Sequence, residues 1–553
     1  MAIKISQLPV GSTSPYNGDE LMALVQDPRG SANTTRATLS SAMSYLSGAT
    51  DNNNMPVLAA RQKNNLFSVD QTFAAGISVE GVLSGAANLI VGTSITACTP
   101  TLGSVGGGTA HCIGGSYSTI GGGNDNRTTC SCVTIGGGCG NSSDVSSGTI
   151  GGGSSNKISD GSGSQTIGGG CGNHIAGCNA TIGGGDSSGA SGPYSTIAGG
   201  NLLSAIGAHS SVSGGLSGCA IGCGSTLGGG ACNVVGGTYS VINGGCTNTT
   251  TNNFTVIGGG VSNTASGLSA TIGGGGCNTA SCDGAVIGGG CKNIASGPES
   301  TVGGGCGNCA NAVCSTVAGG NRGTAAGTCS FIGGGSVNTI NALAATASIV
   351  GGLNNTINGT GDCGTIGGGQ GNILNGAAGV LAGGYCSQVT GNHAAVGGGN
   401  SNCALANCSI IAGGRSHEIG CDGTDSTIGG GCGNQVTVCY GTIGGGENNC
   451  ITSKYGIVVG GSCNCATDCS YVTIVGGCGN CSCGVNYGFI GGGKNNVTSH
   501  DGSSIIGSDI SSVGNDIFHT KCLYLSAAAL PTCDPGTAGV VWRDGTDLKI
   551  SVG

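Results

Sequence analysis

Ala270-Thr271-Ile272-Gly273-Gly274-Gly275-Gly276-Cys277-Asn278-Thr279-Ala280-Ser281-Cys282-Asp283-Gly284 is one unit of a pattern that fills most of this chain. An apolar residue that opens such a unit recurs at Ile90, Val105, Ile120, Ile135, Ile150, Ile167, Ile182, Ile197, Val212, Leu227, Ile242, Ile257, Ile272, Ile287, Val302, Val317 and Ile332. It continues at Ile349, Ile366, Leu381, Val396, Ile411, Ile428, Ile443, Val458, Ile474, Ile490 and Ile505. Of the 27 intervals between these 28 positions, 21 are 15 residues long, four are 17 and two are 16. So constant a period is the mark of a solenoid, in which each repeat is one coil stacked on the last.

The inside of the repeat is also legible. A second apolar position follows the first by eight residues, as at Ile158, Ile175, Val235, Ile340, Ile357, Leu374, Ile419, Val436 and Ile451. Two stripes on opposite halves of a 15-residue coil predict two short strands joined by two turns. Six residues after the first stripe stands an asparagine in 19 of the 28 coils, among them Asn126, Asn141, Asn156, Asn173, Asn263, Asn293, Asn434 and Asn480. Asparagine tolerates a left-handed backbone, and stacked asparagines can bond coil to coil. The glycine run allows a turn or a close approach that no Cβ would permit. Extra residues enter after the second stripe, as in Ser159-Asp160-Gly161-Ser162-Gly163-Ser164-Gln165, so they form surface loops at one corner. The reading is an all-β parallel β-helix or β-roll, about 4.8 Å per coil and roughly 130 Å long. Because one such coil holds few large side chains, one stripe is expected inside it and the other against sister chains, in an intertwined homotrimer; the alternative is a single-chain β-helix, since the period alone does not give the number of chains.

Composition agrees. Glycine fills 123 of 553 positions, while only 7% of residues are charged and 3% aromatic. Large side chains are too scarce for several ordinary globular cores. Nine prolines exclude collagen, and 37% apolar content with low charge is the reverse of a disordered chain. A net charge of −9 offers no basic stripe to nucleic acid. No run of about 18 apolar residues is present to insert into a membrane.

The Ser-Thr-Ile-Gly-Gly-Gly-x-x-Asn unit, as in Ser118–Asn126, resembles the head repeats of trimeric autotransporter adhesins and related phage fibre shafts. That resemblance covers about three-quarters of the chain and implies a trimeric left-handed β-roll. Two end segments sharpen it. Ile5-Ser6-Gln7-Leu8-Pro9, Gly18–Gln26 and Thr35–Leu39 are similar to the start of tailed-phage virion fibre proteins, where such a segment seats the fibre on capsid or tail proteins. Leu530–Gly536 and Val541–Ser551 are similar to the closing segment of phage structural proteins. Read by itself, Asp544-Gly545 between alternating apolar runs signals a hairpin, which would carry Trp542 and cap the last coil. The resemblance implies a virion fibre that adheres to a host-surface receptor or glycan, made in the host cytoplasm and released by lysis; no export signal is read at Met1–Gln7.

The expected organisation is an attachment domain over 1–60, a lead-in over 61–89 with Phe67, Val69, Phe73, Ile77 and Val79, a shaft over 90–510 and a tip over 511–553. The alternatives to a virion fibre are a cellular trimeric surface adhesin and a polysaccharide-degrading tailspike, and a glycan-cleaving spike would need paired carboxylates and sugar-binding rings. Here Asp160, Asp186, Asp283 and Asp422 are scattered in corner loops, so no catalytic residue, cofactor or metal site is assigned. The glycine run lacks the Gly-Lys-Ser/Thr of a phosphate loop. His111 and His417 occupy the asparagine position, which suits a structural role. A threonine precedes the stripe at Thr119, Thr134, Thr149, Thr166, Thr181 and Thr196, but Val241, Val256, Val286 and Phe331 break an ice-binding ladder.

Thirty-four cysteines need an account. Cys291 with Cys306, Cys314 with Cys329, and Cys450 with Cys465 and Cys481 share coil positions, where stacking brings Cα atoms within disulfide range. Two readings stay open: coil-to-coil disulfides formed after release, or cysteine as a small filler of tight turns. Zinc at Cys463-Asn464-Cys465 or Cys481-Ser482-Cys483 lacks a repeated four-ligand set.

Overall fold

The computed structural model describes residues 102–521 without a break, together with 20–26, 32–38, 89–90, 95–97 and most of 530–552. The chain falls into two units, Met1–Ala87 and Asn88–Gly553. In the first, Glu20–Gln26 and Ala32–Thr38 pair antiparallel, with Glu20 opposite Thr38. The rest of the expected attachment segment lies outside the described residues, as do Phe67, Val69, Phe73, Ile77 and Val79 of the lead-in.

The second unit is a parallel β-solenoid. Each coil contributes a two-residue strand at the first stripe, such as Thr119–Ile120, Thr134–Ile135 and Thr149–Ile150, and these pair in register one above the next. A second ladder runs through the other stripe, as in Lys157–Ile158 on His174–Ile175. A third line of single parallel bridges joins residues four after the first stripe, from Thr109 and Asn124 through Cys139 and Ser154 to Cys478 and Lys494. The two-strand expectation missed this third line, because a one-residue bridge leaves no alternation to read. The first ladder gains one strand beyond the last stripe position, where Phe518–Thr520 pairs with Ser504–Ile506, so that ladder reaches Thr520.

Within the two-residue strands of the shaft from Ser104–Val105 to Val497–Thr498 the first residue points outward and the second inward, which is the period-two geometry of a pleated chain. Ile120, Ile135, Ile150, Ile167, Ile182, Ile272, Ile287 and Ile332 are fully buried. So is the second stripe, at Ile158, Ile175, Val235 and Ile357. Both stripes therefore lie inside the coil of one chain. This corrects the ground on which sister chains were expected: no stripe is left for a neighbour to cover. The core closes because the second stripe is alanine in many coils, such as Ala265, Ala280 and Ala295, so the two sides fit across a narrow interior.

The asparagines sit inside as well. Asn126, Asn141, Asn156, Asn173, Asn263, Asn293 and Asn434 are all fully buried. The left-handed residue of the turn is the one before each of them, such as Asp125 at φ 53°, Ser155 at 56° and Lys292 at 54°. Of the two roles the sequence suggested, asparagine therefore takes the coil-to-coil hydrogen bonding, from the interior, and leaves the left-handed turn conformation to the residue before it. At the far end, Val541–Asp544 and Asp547–Ile550 form the expected hairpin, with Asp544 opposite Asp547.

Candidate functional surfaces of the shaft

The Gly-Gly-Gly-x-x-Asn unit works as one device. Asn141 Nδ2 donates to Gly137 O of its own coil (2.9 Å) and to Gly153 O of the next (3.0 Å). Its Oδ1 accepts from the backbone N–H of Asn156 at 3.0 Å. The same set repeats at Asn263 and Asn293. A buried amide left unpaired would cost several kcal/mol, so the column is stabilising only because every member is satisfied. The third glycine makes room for it. A Cβ on Gly138, whose φ is +93°, would lie 2.0 Å from Gly153 O and 2.7 Å from Asn141 Nδ2.

His111 and His417 replace asparagine in two coils and keep part of the pattern. His111 Nδ1 accepts from Asn126 N at 3.2 Å, and His417 Nδ1 accepts from Asn434 N at 3.1 Å. An accepting Nδ1 requires an unprotonated nitrogen there, so both rings act as neutral imidazoles in these bonds. Burial pushes the His417 pKa below its ordinary value, the direction that keeps it neutral.

The outer faces differ in charge. On the first-strand face the outward positions before and after the stripe run from Ser104–Gly106 to Ser504–Ile506 without one charged side chain. They are threonine, serine, valine, isoleucine, phenylalanine, alanine, glycine and one asparagine, Asn243. The second-strand face carries Arg127, Lys157, His174 and Glu418. The bridge line carries Asp186, Arg415, Glu447 and Lys494.

A further column, three residues before the first stripe, is left-handed and outward. Aromatic rings stack there: Tyr440, Tyr455, Tyr471 and Tyr487 have centroids 4.9, 4.8 and 5.2 Å apart and nearly parallel planes. Tyr194 stacks on His209 and Tyr239 on Phe254 in the same column. This run was not legible as a site, since the tyrosines lie 15 or 16 residues apart and meet only once the coils stack.

The cysteines line the outside in the predicted registers. Cys291 and Cys306 occupy successive bridges and stand as thiols with sulfurs 2.7 Å apart. Cys314 and Cys329 occupy successive left-handed turn positions at φ 54° and are also thiols. Hydrogen bonding to Glu299, aided by the charge of that carboxylate, raises the Cys314 pKa. Cys450, Cys465 and Cys481 stack in one ladder. Here the structure departs from expectation. Cys481 is disulfide-bonded within its own strand to Cys483, not to Cys465. Residues two apart on a strand face the same way, and these two Cα atoms are 5.9 Å apart, within disulfide reach. Among the described residues no cluster of three or more metal-binding side chains forms, and no helix is long and apolar enough to cross a membrane. Compared with known proteins, the chain matches no family profile and no curated sequence.

Proposed function

We propose that this chain is a non-enzymatic structural fibre, a stiff spacer that holds its end loops away from the body it is attached to. The observation that carries this is the continuity of three hydrogen-bonded lines over some four hundred residues, with a satisfied amide spine in most of the coils. Bending such a stack stretches backbone ladders and buried amides together. The end segments add the finer reading, a tailed-phage virion fibre seated through residues 1–60 and reaching a host receptor or glycan.

The uncharged first-strand face supports side-by-side packing of copies in a closed assembly, and the resemblance of the repeat to trimeric fibre heads makes a homotrimer the form proposed. With coils about 4.8 Å apart, a strip three residues wide offers on the order of 1,200 Å² per copy. Divided between the two neighbours of a trimer it is about 600 Å² against each, so the two interfaces together bury more on each copy than the roughly 800 Å² per partner of one standard interface. Negative-stain imaging and native mass of the purified chain test both parts. A rod with a mass three times 52.1 kDa is expected. Thr271→Glu, on the uncharged face, is expected to weaken assembly, while Thr279→Glu, on the second-strand face, leaves it intact. A monomeric rod would retain the spacer and overturn the trimer; compact particles would overturn both.

A further inference from the structure

Four cysteines near the end of the shaft are arranged so that a disulfide can move. Cys450, Cys465 and Cys481 are direct ladder neighbours in three successive coils, and Thr467 lies opposite Cys483. The disulfide joins Cys481 to Cys483, while Cys450 and Cys465 remain thiols. All four side chains are half-exposed. A thiol therefore stands one coil away from a disulfide sulfur, with a second thiol one coil behind it.

We propose that Cys450, Cys465, Cys481 and Cys483 form a thiol–disulfide relay that shifts the bond from within one strand to between two coils. In the first step the Cys465 thiolate attacks Cys481 Sγ. The Cys465–Cys481 bond forms, the Cys481–Cys483 bond breaks, and Cys483 leaves as a thiolate that takes up a proton. In the second step the Cys450 thiolate attacks Cys465 Sγ and releases Cys481. The end state is a Cys450–Cys465 disulfide with thiols at Cys481 and Cys483. Two thiols and one disulfide are present before and after, so no outside oxidant is needed. Cys481 is the sulfur attacked because it, and not Cys483, is the register partner of Cys465.

The local chemistry favours that direction of attack. Hydrogen bonding with Cys450 draws the Cys465 thiol down to about 7, against the opposing pull of burial and the Asp468 carboxylate. The same bond and burial hold Cys450 protonated until Cys465 has reacted. A thiol whose pKa lies near ambient pH is the most effective attacker in exchange.

The sequence makes the movement easy to follow. Trypsin cuts after Arg415, Lys454 and Lys494, so a Cys450–Cys465 bond links peptide 416–454 to peptide 455–494, whereas the Cys481–Cys483 bond does not. Full-length chain purified without reductant is held at pH 8 without oxygen and with a chelator, then quenched in acid, alkylated and mapped by mass spectrometry. The linked peptide pair is expected to grow as the in-strand bond disappears, with the total thiol count unchanged. Cys465→Ser is expected to slow this about tenfold or more and preserve the in-strand bond. Cys450→Ser is expected to stop at Cys465–Cys481, which cleavage at Asp468 separates from the in-strand form. Persistence of Cys481–Cys483 for hours in the unaltered chain would overturn the proposal. So would equal cross-linking in Cys465→Ser, or four free thiols at the start.

Discussion

Two stretches of the shaft build the same coil by different means. From Asn233 to Asn308 six successive coils carry the buried amide, each bonded to its own glycine turn and the next. At Ser188, Leu203 and Gly218 three successive coils lack it. Leu203 is 1% exposed and lies where the amide would be; a Cβ on Gly218 would meet Leu227 Cδ2 at 2.5 Å and Leu203 Cδ2 at 3.4 Å. Leu203 and Leu227 thus close over the space beside Gly218. The strand ladders pass through both stretches unchanged, as Thr196–Ile197 on Ser211–Val212 and Thr271–Ile272 on Val286–Ile287 show. Backbone pairing with a filled interior is therefore sufficient for the coil, and the amide spine adds stability and fixes the glycine turn. The turn itself responds: the third glycine is at φ +85° to +90° in Gly275, Gly290 and Gly305, but at +121° and +108° in Gly200 and Gly215.

The largest contrast is expected from alanine at that glycine. In Gly290→Ala the new Cβ would sit 2.0 Å from Gly305 O and 2.8 Å from Asn293 Nδ2. With the left-handed φ, a loss on the order of 3 kcal/mol or more is expected, seen as local loss of hydrogen-exchange protection. Gly200→Ala, with its nearest backbone contact at 2.6 Å, is expected to lose less. Equal losses would mean that the amide spine does not tighten the turn.

A swap of fillers comes next. Asn278→Leu leaves Gly274 O and Gly290 O without their side-chain donor and Asn293 N–H without its acceptor. About 2–4 kcal/mol of local stability should go with them. Leu203→Asn forfeits apolar burial of about 1.5–3 kcal/mol but regains donors for the turn carbonyls, so its net cost is expected to be smaller. If Leu203→Asn proves the costlier change, the interruption is the better-built stretch.

His417 sharpens the comparison through pH. Its folded-state pKa lies below the unfolded value of 6.5, so the unfolded chain binds more protons as pH falls past 6.5, and stability falls with it down to the folded pKa. Hydrogen exchange around residues 402–449, corrected for intrinsic rate, is expected to quicken on going from pH 7 to pH 5.5. His417→Asn is expected to abolish that change, because the amide does not titrate.

The smallest effect is expected at Ser300, whose buried hydroxyl has no partner. Other coils place Ala270 and Ala285 at this position, fully buried. Ser300→Ala is expected to be neutral or stabilising by up to about 1 kcal/mol in thermal unfolding.

What could be read from the sequence followed from periodicity. The 15-residue recurrence of Ile120, Ile135 and Ile150 fixed strand stacking and register, and insertions such as Ser159–Gln165 marked the loop corner. The inward or outward sense of the second stripe could not be read, because Ala265 or Ala280 suits a narrow interior as well as a surface. The asparagine column was visible but its orientation was not, since Asn serves both turns and buried networks. The tyrosine run and the Cys481–Cys483 bond depend on which neighbours three-dimensional stacking provides. Cys465 has a ladder partner on either side, and spacing alone does not choose between a bond along the strand and one across it.

Diffraction from aligned, purified rods tests the stacked-coil account most directly. Strands perpendicular to the long axis should give a strong reflection near 4.8 Å along that axis, with no helical 5.4 Å reflection. Absence of the axial 4.8 Å spacing, or its appearance across the rod instead of along it, would contradict the account.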